Sequence, residues 1–324
     1  MSTFTQIEVN NCAKGVAYRF VGETEDHICV MIKVFGVHIL PGEIDSRRLK
    51  AFCQRLSQLK HKNLLDILGL ADDDFIKDKF LSLIIPYLPT ENINLFLEKL
   101  LREPERQAVP VASLKRRWVE EIAVGLKYLH DKGVTHGILH TGNVLIDDQG
   151  SVRLTDYGLE WIAEASQPPG GPFHPFGGPL RCMTPEVHDP EAFGLPIIIK
   201  PTLACDMYSY GASTCYEIYA YKEPFAELTL LKAYRQILGG VRPTRPVTTN
   251  GRGTDDVSDF IWSIMTRFWV QQAKDRPSVH EVVEFFCNRE DALIPRNVVM
   301  TSTLTSEFYD NQRGNPPVLF QYVV

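Results

Sequence analysis

GLKYLHDKGVTHGILHTGNVLIDDQGSVRLTDYG, residues 125–158, holds three local signals in succession. Leu126 and Leu129 continue an apolar stripe begun by Leu114, Trp118 and Ile122, the spacing of one face of a helix, for which Ser113 is the expected N-cap. A loop follows through His136 and His140. Two short apolar runs, residues 144–146 and 152–154, then flank Asp147-Asp148-Gln149-Gly150, a turn sequence that predicts a tight hairpin. Helix, loop and hairpin end on Asp156-Tyr157-Gly158.

On the N-terminal side, residues 16–39 and 80–88 read as strands. Residues 29–34 are apolar and β-branched around the single lysine Lys33, and residues 80–88 have the character of a buried strand. Between them, residues 47–60 place Leu49, Phe52, Cys53, Leu56 and Leu59 on one helical stripe. The three aspartates at 72–74 read as a solvated turn. On the C-terminal side, Phe260, Ile261, Ile264, Met265, Phe268 and Trp269 mark a second strong helix. Residues 167–179, rich in Pro and Gly, predict an irregular loop, and the chain from about Asp291 lacks periodicity. Strands with one helix precede a mainly helical region that contains a small hairpin. The expected fold class is therefore α+β in two lobes: a β-rich lobe over 1–88, a helical lobe over 89–290, a hinge near 86–90 and a tail over 291–324.

Composition narrows the function classes. A net charge of -6 argues against a dedicated nucleic-acid binder, which usually carries a basic face. No apolar run approaches the roughly 18 residues of a membrane span, and the first ten residues lack the pattern of a secretory signal. The seven cysteines contain no C-x-x-C pair, so reduced and mostly buried thiols in a cytoplasmic protein are expected.

The chain resembles a protein kinase. Residues 30–33 (VMIK) look like the strand bearing the ATP-contacting lysine, and residues 59–65 (LKHKNLL) like the end of the following helix. The 125–136 stretch leads into a catalytic-loop position. Asn143-Val-Leu-Ile, Asp156-Tyr-Gly, Thr184-Pro-Glu, Asp206-Met-Tyr-Ser-Tyr-Gly and Asp275-Arg-Pro then follow in kinase order and at kinase spacing, across residues 10–288. Residues 239–246 and 267–277 resemble the tyrosine-kinase-like group, in particular its expansions in mushroom-forming fungi. The resemblance implies the bilobal protein-kinase fold.

It also implies roles for particular residues. Lys33 matches the phosphate-holding lysine, Asn143 and Asp156 match the metal ligands, and Gly15 matches the last glycine of the phosphate-covering loop. These residues favour Mg²⁺–ATP binding. Three departures oppose catalysis. The family's H-R-D-L-x-x-x-N reads His136-Gly-Ile-Leu-His-Thr-Gly-Asn143, so Ile138 replaces the catalytic Asp, Gly137 the Arg and His140 the Lys. Phe52 stands where the lysine's glutamate partner belongs, and Glu43, nine residues upstream, is a poor substitute, so Lys33 is expected either to move freely or to pair with Asp156. Asn10 and Cys12 replace the first two glycines of the covering loop, which should weaken the phosphate cradle and lower nucleotide affinity.

Scaffold positions survive. Glu186 and Arg276 match a buried ion pair, Asp206 matches the aspartate under the catalytic loop, and Leu56, His136 and Tyr157 match members of a hydrophobic spine. The expected function is a pseudokinase that works through protein partners in signalling, with weak Mg²⁺–ATP binding. The alternatives are a residual Ser/Thr kinase, in which His140 or a water replaces the base, and a structural protein that binds no nucleotide. His136 and His140 lie four apart but lack the glutamate of a zinc-protease helix, and no G-x-S-x-G motif occurs. Ser166, Thr184 and the hydroxyls of residues 301–306 are candidate phosphorylation sites but read rather as exposed residues without a regulatory role.

Overall fold

The structure, a computed structural model, describes residues 2–12, 15–23, 29–35, 46–70, 81–88, 92–102, 110–158, 180–196, 200–246, 257–288 and 318–320. Asp72–Asp74, residues 167–179, Glu43, Ser166 and residues 301–306 lie outside them.

Strands β1 (Ser2–Cys12), β2 (Gly15–Glu23), β3 (Cys29–Phe35), β4 (Gly69–Leu70), β5 (Leu81–Pro86) and β8 (Val318–Phe320) form one antiparallel sheet in the order β4-β5-β3-β2-β1-β8. The apolar runs of β3 and β5 supply the buried Val30, Leu83, Ile84 and Ile85, which explains why they occupy the inner positions. β1 was not legible as a strand, because its apolar residues do not alternate cleanly. Val318–Phe320, within the segment read as a tail, pairs with Ser2–Phe4 at the sheet edge.

Helix α1 (Ser46–Ser57) buries Cys53 and Leu56 on its inner face. Helices α2 (Ile93–Arg102) and α3 (Val111–Asp131) open the helical part. The whole predicted stripe of α3 is buried: Leu114, Trp118, Ile122, Leu126 and Leu129 are at most 4% exposed. Burial of each such side chain contributes roughly 1.5–3 kcal/mol. Ser113 is not the N-cap. The carbonyl of Pro110 accepts from the amides of Ser113 and Leu114, so the helix begins earlier, with the proline's restricted φ suited to that entry.

The hairpin forms as expected from β6 (Val144–Ile146) and β7 (Val152–Leu154). Its turn is held twice. Asp147 Oδ1 accepts from the amides of Gln149 and Ser151 at 3.0 and 2.8 Å. The Gly150 carbonyl accepts from the Trp118 indole at 2.9 Å and from the Arg117 guanidinium. Glu121 of α3 accepts from the Val152 amide at 2.8 Å, so the hairpin is docked on α3 through its backbone.

Helices α4 (Pro185–His188), α5 (Leu203–Ser209), α6 (Tyr216–Ala220), α7 (Leu230–Leu238), α8 (Asp259–Phe268) and α9 (Val279–Cys287) follow, with a π-helical segment over Tyr210–Cys215 joining α5 to α6. Ser258 caps α8, and Ser278 with Glu281 makes a capping box on α9. The α+β expectation therefore holds: the described residues form one large antiparallel sheet, one hairpin and a helix-rich remainder. Among the described residues no helix is long and apolar enough to cross a membrane. Among the described cysteines Cys53, Cys182, Cys205 and Cys215 are buried and Cys287 is exposed. Thr184, read from the sequence as exposed, is instead buried at 1% exposure, its hydroxyl turned onto Cys205 Sγ at 3.7 Å.

Candidate functional site

The loop between α3 and β6 is held from beneath by one carboxylate. Asp206, 1% exposed, accepts from the backbone amides of His136 and Gly137 at 2.7 and 2.8 Å and lies 2.9 Å from His130 Nε2. Gly137 turns with φ 83°, a conformation that favours glycine, and so brings its amide onto the carboxylate. Asp206 thus has the position its sequence context implied. His130 is an additional partner that the sequence did not reveal.

Ile138 is half-buried and packs against the main core. Its side chain has no proton-accepting atom. Its carbonyl accepts from Asn143 Nδ2 at 3.0 Å, which orients the Asn143 amide and leaves Oδ1 as that side chain's oxygen donor to a cation. The Asn143 carbonyl accepts from the Thr155 amide at 3.0 Å, so Asn143 adjoins the residue before Asp156. Asp156 is half-exposed and sits at φ 62°. An amide oxygen and a carboxylate on neighbouring backbones suit a hard divalent cation that takes its remaining ligands from phosphates and water. The residues present fit Mg²⁺.

His140 faces its own turn. Its Nδ1 accepts from the Gly142 amide at 3.1 Å, capping the short 3₁₀ turn over Thr141–Asn143. A neutral ring that accepts at Nδ1 carries its proton on Nε2, and in this geometry it has no open lone pair for a general base. A Cβ at Gly142 would lie 2.7 Å from the ring, so the glycine makes the close approach possible.

In the large sheet, Lys33 pairs with Arg19 of β2 and Leu83 of β5. Gly15 opens β2 opposite Cys12, and Asn10 pairs with Ala17. Phe52 lies in α1. The side chains of Lys33, Asn10, Cys12 and Phe52 fall outside the described atoms.

The spine residues Leu56, His136 and Tyr157 are all buried, at 0%, 0% and 1% exposure. The Tyr157 hydroxyl donates to the Leu65 carbonyl at 2.8 Å. Among the described residues neither ring nitrogen of His136 has a hydrogen-bond partner, and burial holds its pKa below the ordinary 6.5 against the pull of Asp206 and Asp156. Glu186 and Arg276 form the expected buried pair, with Arg276 hydrogen-bonded also to the carbonyls of Val270, Ala204 and Gln271.

One cluster beside the loop was missed. Glu217 of α6, 6% exposed, accepts from the hydroxyl of Thr141, from Asn94 Nδ2 at 3.4 Å and from Cys182 Sγ at 3.6 Å. Burial raises its pKa, against the lowering effect of these donors. Its four members come from distant parts of the chain and form no local motif.

The sequence profile described as protein tyrosine and serine/threonine kinase matches residues 5–286. Receptor-interacting serine/threonine-protein kinase 2 of Bos taurus is 29% identical over 261 residues, which cover 77% of this chain and 45% of that protein. Mitogen-activated protein kinase kinase kinase 1 of Arabidopsis thaliana is 30% identical over 205 residues, 62% of this chain and 29% of that protein. Ephrin type-A receptor 5 of Homo sapiens is 26% identical over 254 residues, 78% of this chain and 21% of that protein. The chain spans less than half the length of these relatives.

Proposed function

We propose that this chain, which belongs to the protein tyrosine and serine/threonine kinase family, is a pseudokinase that acts through protein partners in cytoplasmic phosphorylation signalling and binds Mg²⁺–ATP weakly. The observation that carries this reading is Ile138. An aliphatic side chain stands at the position that should accept the substrate hydroxyl's proton, and loss of a positioned base typically costs about 10²–10⁴ in rate. His140 does not compensate, since its Nδ1 is engaged with Gly142.

Weak nucleotide occupancy rests on opposing residues. Asn143 and Asp156 retain oxygen donors for Mg²⁺, and Lys33 retains the charge. Asn10 and Cys12 replace glycines of the phosphate cradle, and Phe52 deprives Lys33 of its carboxylate partner. Residues 239–246 and 267–277 favour a place in the tyrosine-kinase-like group, related to that of mushroom-forming fungi.

The test is phosphate transfer. Purified protein with Mg²⁺–ATP and generic protein substrates should transfer no more phosphate than its Lys33→Ala variant. Robust transfer that disappears in Asp156→Ala would overturn the reading. That outcome would establish the second reading, a residual Ser/Thr kinase. It is favoured by the adjacency of Asn143 and Asp156, because phosphoryl transfer depends chiefly on metal and positioning. Absence of any nucleotide binding would leave the third reading, a structural module.

A further inference from the structure

Asp156 carries backbone strain. Its φ of 62° lies in the left-handed region, which costs a residue with a side chain free energy unless its surroundings hold it there. The next residue supplies a restraint. Tyr157 is 1% exposed, and its hydroxyl reaches the Leu65 carbonyl at 2.8 Å, across 92 residues of sequence.

Leu65 lies in the link between α1 and β4, and that link is itself tied to the helical part. The Leu65 amide donates to the Leu154 carbonyl at 2.8 Å, the Leu154 amide to the Asn63 carbonyl at 2.9 Å, and Asn63 Nδ2 to the Val152 carbonyl at 3.2 Å. The Lys60 amide reaches the Tyr128 hydroxyl at 3.2 Å. The link is thus a fixed anchor. Beyond Tyr157, the Gly158 amide donates to the His136 carbonyl at 3.2 Å, and a Cβ at Gly158 would lie 3.0 Å from Leu56 of α1. The turn is therefore wedged between α1 and the loop that carries Ile138.

We propose that the Tyr157 hydroxyl is a conformational clasp, locking the 156–158 turn to the α1–β4 link so that Asp156 stays in its left-handed conformation. The clasp needs neither nucleotide nor an ion pair from Lys33 to α1, where Phe52 offers no carboxylate. It is independent of whether the cleft binds ATP. A phenylalanine at 157 would fill the same space and pack the same core, but would leave the buried Leu65 carbonyl without this donor.

The experiment is native-state hydrogen exchange on the full chain and on Tyr157→Phe, without nucleotide, with urea unfolding measured beside it. Loss of the hydroxyl should accelerate exchange in peptides spanning 61–67 and 154–158 by about tenfold, while peptides of α8 keep the parent rate. Unchanged exchange at 154–158 would show that the hydroxyl restrains nothing. Equal acceleration in α8 would show a contribution to global stability only. Either result overturns the clasp.

Discussion

The guanidinium of Arg276 closes on the carboxylate of Glu186 through two hydrogen bonds, 2.6 and 2.7 Å long, between residues 90 apart in the chain. Both side chains are buried, at 0% and 4% exposure. Glu186→Ala would strand a buried guanidinium, a loss of about 3–5 kcal/mol. Lys33→Ala should change stability little, since the sequence leaves Lys33 without its helix glutamate. Urea unfolding of both variants, compared by midpoint at unchanged slope, checks the contrast. An equal loss for Lys33→Ala would reveal a structural partner for the lysine.

Gly211 allows the π-helical segment to approach α8. A Cβ there would lie 2.7 Å from Phe268 Cβ and 3.2 Å from the Met265 carbonyl. The first neighbour is a branch point close to the backbone, so it cannot swing away as a side-chain tip can. Gly211→Ala should therefore destabilise by about 1–3 kcal/mol through overpacking. Thermal unfolding measures it, and a parent-like Tm would mean that α8 shifts freely.

His136 should make the protein sensitive to mild acid. Its folded pKa is held below 6.5 by burial, so the unfolded chain binds a proton first as pH falls. The His136 contribution is thus complete above about pH 6.5 and declines below it, down to the folded-state pKa. In His136→Leu this slope should be lost, whatever the variant's stability at neutral pH. Unfolding midpoints from pH 8 to 5 would decide; parallel slopes for parent and variant would contradict the assignment.

Mg²⁺–ATP should raise the Tm slightly, and Asp156→Ala should reduce that response. Ligand at about 100 times its Kd adds about 2.7 kcal/mol to stability, so tight binding would be conspicuous in a thermal-shift titration. A large shift at micromolar nucleotide would refute weak binding. An undiminished shift in Asp156→Ala would remove this residue from the cation site.

Much of the architecture was legible because it follows from short-range periodicity. The α3 stripe from Leu114 to Leu129, the 144–154 hairpin and the buried runs of β3 and β5 are each set by residues a few positions apart, and all formed as read. The start of α3 was misplaced because Ser113 is a good cap in isolation, whereas Pro110 sets the entry and its carbonyl receives the first amides. The chemical identity at 138 was likewise complete in the sequence: no fold can make Ile138 accept a proton.

What the tertiary structure alone decided are the partners. His140 could have faced the cleft or its own turn, and only the three-dimensional path of the loop turned it onto the Gly142 amide. Tyr157 in place of phenylalanine was visible, but its acceptor, the Leu65 carbonyl, is a backbone atom with no side-chain signature. Glu217 gathers Thr141, Asn94 and Cys182 from three other elements. Helices and hairpins arise from interactions between near neighbours, which a sequence displays directly. A hydrogen bond across 92 residues depends on how whole elements pack, and that relation appears in no local stretch of the chain.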